Sequence, residues 1–310
     1  MKRLLKILKE VKGSVLVFTT VVIGSVLIGL TALVTDVGAL YLTHSKLENM
    51  ADAGALAGAQ EWFLGDKTQV EAVATTYARD KNGKAGDIID VDVIEAEKKI
   101  VVTATRNVDL FFAKILNTNS SDVTAKSAAR ILPATKVTGS APFAITWDDS
   151  FLPGGSAVGT NLTLKVDEKD EYKGNFHCLA LKSKSGGDSG ASVLAENILY
   201  GCAQSLAIGD KVSTEPGNMV GPIKKAIADR LALPGGNIMI IPIIEETWTD
   251  LGGGRLQVTI KGFAAFDIDA SNGKTVTGNF LRLATAADLV TEDDSAASYG
   301  LYGTKLVDPN

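Results

Sequence analysis

The side chains able to act as nucleophile, base or metal ligand are few: Cys178, Cys202, His44 and His177 are all the cysteines and histidines of the chain. No spacing among them resembles a zinc site, so neither a structural metal nor a cofactor is expected. Gly187-Asp188-Ser189-Gly190 has the wording of a serine-protease nucleophile, but that chemistry needs a His as base and an Asp to orient it. His177 lies only 12 residues upstream in a strand-like stretch, and His44 lies far away, so the segment reads as a Gly/Ser loop. Asp267, Asp269 and Ser271 alternate as in a calcium loop, yet Asn272 stands where that loop needs Gly and Gly278 where it needs Glu. Asn272-Gly273 reads instead as a hairpin turn. Gly252-Gly253-Gly254-Arg255 lacks the Lys of a phosphate loop. The acid pairs Asp148-Asp149 and Glu245-Glu246 carry no glycosidase argument without a geometry. The expectation is a protein with no catalytic residue.

The strongest signal lies elsewhere. From Val15 to Val34 run 20 residues without a charge, 13 of them Val, Leu, Ile or Phe, the length a helix needs to cross the hydrocarbon layer. At roughly −0.3 to −0.6 kcal/mol per large apolar residue, these favour insertion by about 4 to 8 kcal/mol. A cleaved signal peptide would have a shorter apolar run followed by a break; here the pattern continues through Asp36-Val37-Gly38-Ala39-Leu40-Tyr41. Lys2, Arg3, Lys6, Lys9 and Lys12 precede the span and no base follows it until Lys46, which predicts a cytoplasmic N-terminus and an extracytoplasmic or cell-surface bulk. Residues 1–14 carry a net +4, leaving −9 for the remainder of a chain whose net charge is −5. Such a remainder is not a nucleic-acid binder, because counterion release needs clustered Lys and Arg.

Val37, Leu40, Tyr41, His44, Leu47, Ala51, Ala55 and Gly58 recur at spacings of three and four, so the transmembrane helix is expected to continue to about Trp62 as a stalk. Ser14 to Trp62 would be near 70 Å long at about 1.5 Å per residue. Ala51, Ala55 and Ala59 fall four apart, as do Gly54 and Gly58. Small side chains at that spacing form a seam that another element approaches closely. The seam could serve a partner, but it reads first as packing against the chain's own domain. His44 reads as a stripe residue rather than a ligand.

Lys12-Gly13-Ser14-Val15, Asp36-Val37-Gly38-Ala39-Leu40-Tyr41 and Leu47-Glu48-Asn49-Met50-Ala51-Asp52-Ala53-Gly54-Ala55-Leu56-Ala57-Gly58-Ala59 together resemble the N-terminal module of TadG-like proteins of the Flp (tight-adherence) pilus system. Looser likeness appears at Val212–Pro222 and Gly262–Phe266. The resemblance implies a membrane-anchored accessory or pseudopilin-like component of a pilus assembly machine, without enzyme activity. Its implied partners are membrane lipid and other pilus-assembly proteins or pilin subunits, with self-association as a further mode. In one respect the chain departs from peptidase-cleaved pilins: Gly13 is present, but Phe18 stands where their mature chains carry Glu. The resemblance therefore does not extend to cleavage after Gly13. The alternative reading is a pilin-like subunit that polymerises into a surface filament through its apolar helix.

Beyond the stalk, Gln69–Asp80 reads as an amphipathic helix ended by Asn82-Gly83. Ile88–Ile94 and Ile100–Val108 alternate as a hairpin around Glu97-Lys98-Lys99, Phe111–Leu116 suggests a short helix, and Val123–Leu132 a third strand. Pro133 to Pro142 is aperiodic and marks a boundary. Leu162–Val166, Phe176–Leu181, Ile238–Ile244, Leu256–Phe266 and Thr275–Leu283 follow as strands, with Gly221–Leu233 the one clear helix. The tail from Ala284, acidic around Glu292-Asp293-Asp294, reads as solvated surface. The class is thus α+β: a cytoplasmic basic segment (1–14), a transmembrane helix (15–35), the stalk plus a small α+β layer domain (36–132), and a β-rich extracytoplasmic domain (133–310). Outside a reducing compartment Cys178 and Cys202 could form one bridge, worth on the order of 3 kcal/mol.

Overall fold

The computed structural model describes residues 2–147, 162–165, 177–216, 219–285, 289–290 and 297–309. Asp148-Asp149, Gly217-Asn218 and Glu292-Asp293-Asp294 lie outside these, as do Val166 and Phe176 at the ends of two expected strands.

Helix α1 (Lys2–Glu61) is continuous, and α2 (Lys67–Asn82) turns back along it. Asp66 caps α2 by accepting the Gln69 N–H at 2.9 Å, and Arg79 and Lys81 sit in its last turn, where the helix dipole favours cations. Strands β1 (Ile88–Ile94), β2 (Lys99–Asp109) and β3 (Ser120–Pro133) form an antiparallel meander. Between β2 and β3 only Ala113–Leu116 is helical, as a 3-10 turn, so the short helix expected from Phe111 is smaller than its apolar run suggested. There follow β4 (Lys136–Thr138), β5 (Phe143–Thr146), β6 (Leu162–Lys165), β7 (His177–Cys178), α3 (Ala191–Tyr200), β8 (Ser205–Ala207), β9 (Lys211–Ser213) and α4 (Val220–Leu231). The chain ends through β10 (Ile238–Gly252), β11 (Arg255–Ser271), β12 (Thr275–Leu281), β13 (Leu283–Thr285), β14 (Leu289–Val290) and β15 (Leu301–Val307).

The fold is mixed α+β, with a long N-terminal apolar helix, a small second helix and a β-rich C-terminal region. Three sheets organise it: β1-β2-β3-β15-β13, β6-β12-β11-β10-β5-β7 with β9 paired to β11, and β14-β4-β8. The short strands β4, β5, β8, β9 and β14 were not expected from the sequence, and two further elements that were not expected shape the fold more. Helix α3 follows Gly190, which offers no side-chain cap, within a Gly/Ser-rich stretch that hides the helix start; its periodicity shows only in the buried positions Val193, Leu194, Asn197 and Ile198. Strand β15 lies in the tail read as solvated surface, but it pairs with β3 over Ala128–Pro133 and so returns the C-terminus to the first sheet. The unit built on α1 is therefore completed by residues far along the chain.

α1 lies lengthwise on that sheet. Leu40, Leu47 and Met50 share a cluster with Ala104, Val108, Val123 and Ala125. Higher up, Ala51, Ala55 and Ala59 join Val70, Ala74, Ile100, Val102, Ala129 and Ile131. The body has two cores, one around Phe143, Ile241, Phe266 and Phe280, the other around Leu181, Leu206, Val258 and Phe263.

Candidate functional site

Below Asp36 and above it, α1 presents two different surfaces. From Val15 to Val34 its large apolar side chains are 44–70% exposed. It is the one helix, among the described residues, long and apolar enough to cross a membrane. From Leu47 upward its inner face is fully buried at Leu47, Met50, Ala51, Ala55 and Ala59.

The seam residues are covered by the chain's own elements. A Cβ at Gly54 would stand 2.8 Å from the Ala74 carbonyl oxygen and 3.1 Å from the Ala78 Cβ; one at Gly58 would stand 3.0 Å from the Ala74 Cβ and 3.2 Å from Ile100. Helix α2 thus approaches α1 as closely as backbone allows, which is what glycine at these two positions permits. Ala51, Ala55 and Ala59 fill the remaining space against the sheet. Phe63 closes the top by stacking on Tyr302 of β15 at 4.7 Å, with the Lys98 ammonium 5.1 Å from the Tyr302 ring.

Where the apolar stretch ends, Asp36 is buried and its carboxylate accepts three backbone N–H groups: Phe111 at 2.8 Å, Phe112 at 3.0 Å and Ala113 at 2.8 Å. These are the donors that the first turn of any helix leaves unpaired. Burial works against ionisation of Asp36, but the three N–H donors and the Lys114 ammonium outweigh it and hold the carboxyl below the usual carboxylate value. One carboxylate therefore clamps the base of the sheet to the end of the apolar helix.

A second charge fixes the other corner. Arg106 on β2 donates through Nε (2.7 Å) and Nη2 (2.6 Å) to both oxygens of Asp87, and through Nη2 to the Asn82 carbonyl at the end of α2 (2.9 Å). The two side chains are 8% and 2% exposed. The bidentate contact with Arg106 holds the Asp87 carboxyl below, and the guanidinium above, their ordinary values. Sequence reasoning singled out neither residue. The signal was available in the hairpin register, which pairs Ile88 with Thr105 and so sets Asp87 opposite Arg106.

Among the described residues, the other chemistry-bearing side chains are not gathered into a site. Cys178 and Cys202 are both buried free thiols that belong to different cores. Burial, with the Glu215 carboxylate adding to it, pushes Cys178 up to about 12; burial also raises Cys202, against several backbone hydrogen bonds. His44 is half exposed and faces Glu48 at 3.5 Å. Asp188 and Ser189 are exposed in the loop before α3, where Gly190 N–H donates to Glu215 at 2.8 Å. Asn272 accepts from the N–H of Lys274 and Thr275, both at 2.8 Å, and so makes the β11–β12 turn rather than a calcium loop. Glu245 and Glu246 are exposed on β10. Gly252, Gly253 and Gly254, all at positive φ, turn β10 into β11. Among the described residues no group of three or more His, Cys, Asp or Glu could hold a metal.

The clamp and the seam both depend on one helix, and it is this helix that is similar to a known family. No curated protein and no solved structure matches the chain. Residues 13–61 match the family model Tad, described as "Putative Flp pilus-assembly TadE/G-like", so that the apolar stretch, Asp36 and the small-residue seam all fall within the part of the chain that is similar to this family.

Proposed function

We propose that the chain is a membrane-anchored, non-enzymatic accessory component of Flp pilus assembly that works through the domains following its span. The observation that carries this reading is the division of α1: the large apolar side chains described between Val15 and Val34 are 44–70% exposed, whereas Ala51, Ala55 and Ala59 are wholly buried. An apolar surface of that length is stable in lipid and unstable in water, while the upper half already has its partners. The basic residues before the span orient residues 1–14 to the cytoplasm and the remainder to the outside. Residues 36–132 then act as a stalk and layer domain, and 133–310 present the β-rich surface to other pilus components.

Polymerisation through the apolar helix is the competing use. It is disfavoured because Phe18 stands where peptidase-cleaved pilins carry Glu; and with the seam from Ala51 to Ala59 filled by α2 and the sheet, a second copy would be left only the stretch below Asp36 to pack on. Fractionation of producing cells with N-terminal sequencing tests the reading. An intact Met1 in the membrane fraction, with residues beyond 36 cut by protease added to whole cells, is the expected result. A terminus at Ser14 in sheared surface fibres would transfer the protein to the filament.

A further inference from the structure

We propose that the turn joining β2 to β3 is a second membrane contact, lying in the boundary between headgroups and acyl chains and inserting Phe111 and Ile115. The inference rests on the membrane-anchored reading above and adds to it a surface outside the span. Phe111 and Ile115 are 80% and 82% exposed, more than any large hydrophobic side chain described on the apolar helix, and both sit on a turn of seven residues, 110–116. In water nothing compensates two such side chains side by side. The turn stands against the span itself: Leu110, Phe112, Ala113 and Ile115 face Ser25, Ile28, Gly29, Ala32, Leu33 and Val37 across an apolar groove of about 670 Å³. That floor includes residues inside the 20-residue uncharged run, so wherever the run meets lipid the turn meets it too.

The backbone of the turn is prepared for such a place. Lipid offers no hydrogen-bond partners, so exposed N–H groups are costly there. Here the N–H groups of Phe111, Phe112 and Ala113 are taken by the Asp36 carboxylate. Leu110 N–H donates to the Asn119 carbonyl, Ile115 to Phe112, Asn117 to Lys114 and Thr118 to Ala113. The charge that would oppose entry is neutralised locally, because Asp36 is covered by these donors and has Lys114 near it. Lys114 is exposed between the two apolar side chains; its ammonium can reach anionic headgroups while its stem lies along the acyl region. Asn117, Thr118 and Asn119, all exposed, return the chain to water. Two membrane contacts on different elements would fix the tilt of the sheet relative to the bilayer, where a helix alone leaves rotation about its axis free.

The test uses the full-length chain in vesicles of phosphatidylethanolamine and phosphatidylglycerol. Single cysteines are introduced as Phe111→Cys, Ile115→Cys, Leu27→Cys and Leu64→Cys and labelled with an environment-sensitive fluorophore. The native thiols are buried, and the unsubstituted protein gives the labelling background. Both turn positions are exposed, so neither substitution disturbs folding. The expected result is blue-shifted emission and quenching by shallow lipid-borne nitroxides at 111 and 115, quenching by deep ones at 27, and quenching only by aqueous iodide at 64. Quenching by iodide at both 111 and 115, with the probe at 27 still in lipid, would overturn the inference and leave the anchor standing. Protection at 111 and 115 from lipid and aqueous quenchers alike would mean that protein covers the turn, and would overturn it too. Iodide quenching at 27 would remove the anchor and this inference together.

Discussion

The unit built on α1 and the β-rich body are held together by different means. In the first, backbones nearly touch: Ala51, Ala55, Ala74, Ala78, Ala104 and Ala129 line the contacts, with Gly54 and Gly58 where α2 crosses closest, and a buried ion pair locks a corner. In the second, large side chains interdigitate. Phe266 meets Phe280 edge-on at 5.1 Å and Trp147 meets Tyr299 at 5.1 Å, over a bed of Ile241, Ile243 and Ile268. Close backbone approach can be met by very few residue types, whereas a core of large side chains accepts many combinations of similar volume. The small-residue seam of the first unit, Ala51 to Ala59, lies inside the residues 13–61 that match the family model.

Substitutions can break this contrast in order of size. Asp87→Ala leaves Arg106 buried without its partner and is expected to cost about 3–5 kcal/mol, read as a loss of the α1–α2–sheet transition in urea or thermal unfolding. A double change of Asp87 and Arg106 to apolar residues should recover much of that loss, because the larger part is the penalty for one stranded charge. Gly54→Leu comes next. Its Cβ alone would meet the Ala74 carbonyl oxygen at 2.8 Å, so the overpacking cost, about 1–3 kcal/mol, outweighs the roughly 1 kcal/mol that leaving Gly offers a helix. In the body, Ile241→Val removes one methylene from a fully buried site and should cost about 0.5–1.5 kcal/mol. If Gly54→Leu proved as mild as Ile241→Val, the distinction between the two kinds of packing would be lost. Smaller in free energy is the behaviour of Cys178. With its thiol held up to about 12 by burial, it should react with an aromatic disulfide reagent only as fast as the body unfolds, and a rate matching that of a free exposed thiol would show the core around Phe143 and Phe266 to be open.

Much of the first unit was legible because its periodicities are local. The hairpin strand Ile88–Ile94 agrees with β1, and the stripe lies on the buried face of α1 from Leu47 to Gly58, whereas its lower members Val37, Tyr41 and His44 are exposed. What was hidden depended on contacts distant in sequence. Asp36 acquires its role only when Phe111 arrives beneath it, 75 residues later. Strand β15 is recognisable as a strand only by its partner β3. Helix α3 lacks a capping side chain to announce it. In the body the strands expected at Ile238–Ile244 and Leu256–Phe266 fall within β10 and β11, but neither their joining through Gly252-Gly253-Gly254 nor which sheet each strand joins was read from the local sequence.

The last contrast is one of pH. Asp36 and Asp87 tie the first unit together, and both carboxyls lie below their unfolded value of 3.8 in the folded protein. The unfolded chain therefore takes up protons first on acidification. Their contribution is complete above that value and is lost as pH falls through the lower, folded values. Two corners of the first unit should loosen in acid for this reason. The body offers Glu196, also lowered, chiefly by the Ser185 hydroxyl, but that group is at the surface of α3 and belongs to neither core of the body. Hydrogen exchange at about pH 3 should accordingly show amides of α2 and of the Phe111–Ala113 turn exchanging faster relative to pH 6, after correction for intrinsic rates, while β10 and β11 keep their protection. Asp36→Asn should remove the acid sensitivity at the turn alone, since an amide oxygen still accepts from one of the three N–H groups but no longer titrates. Should β10 and β11 lose protection together with the turn, the two regions unfold as one cooperative body, and β15, which joins the end of the chain to β3, is the element through which that coupling would pass.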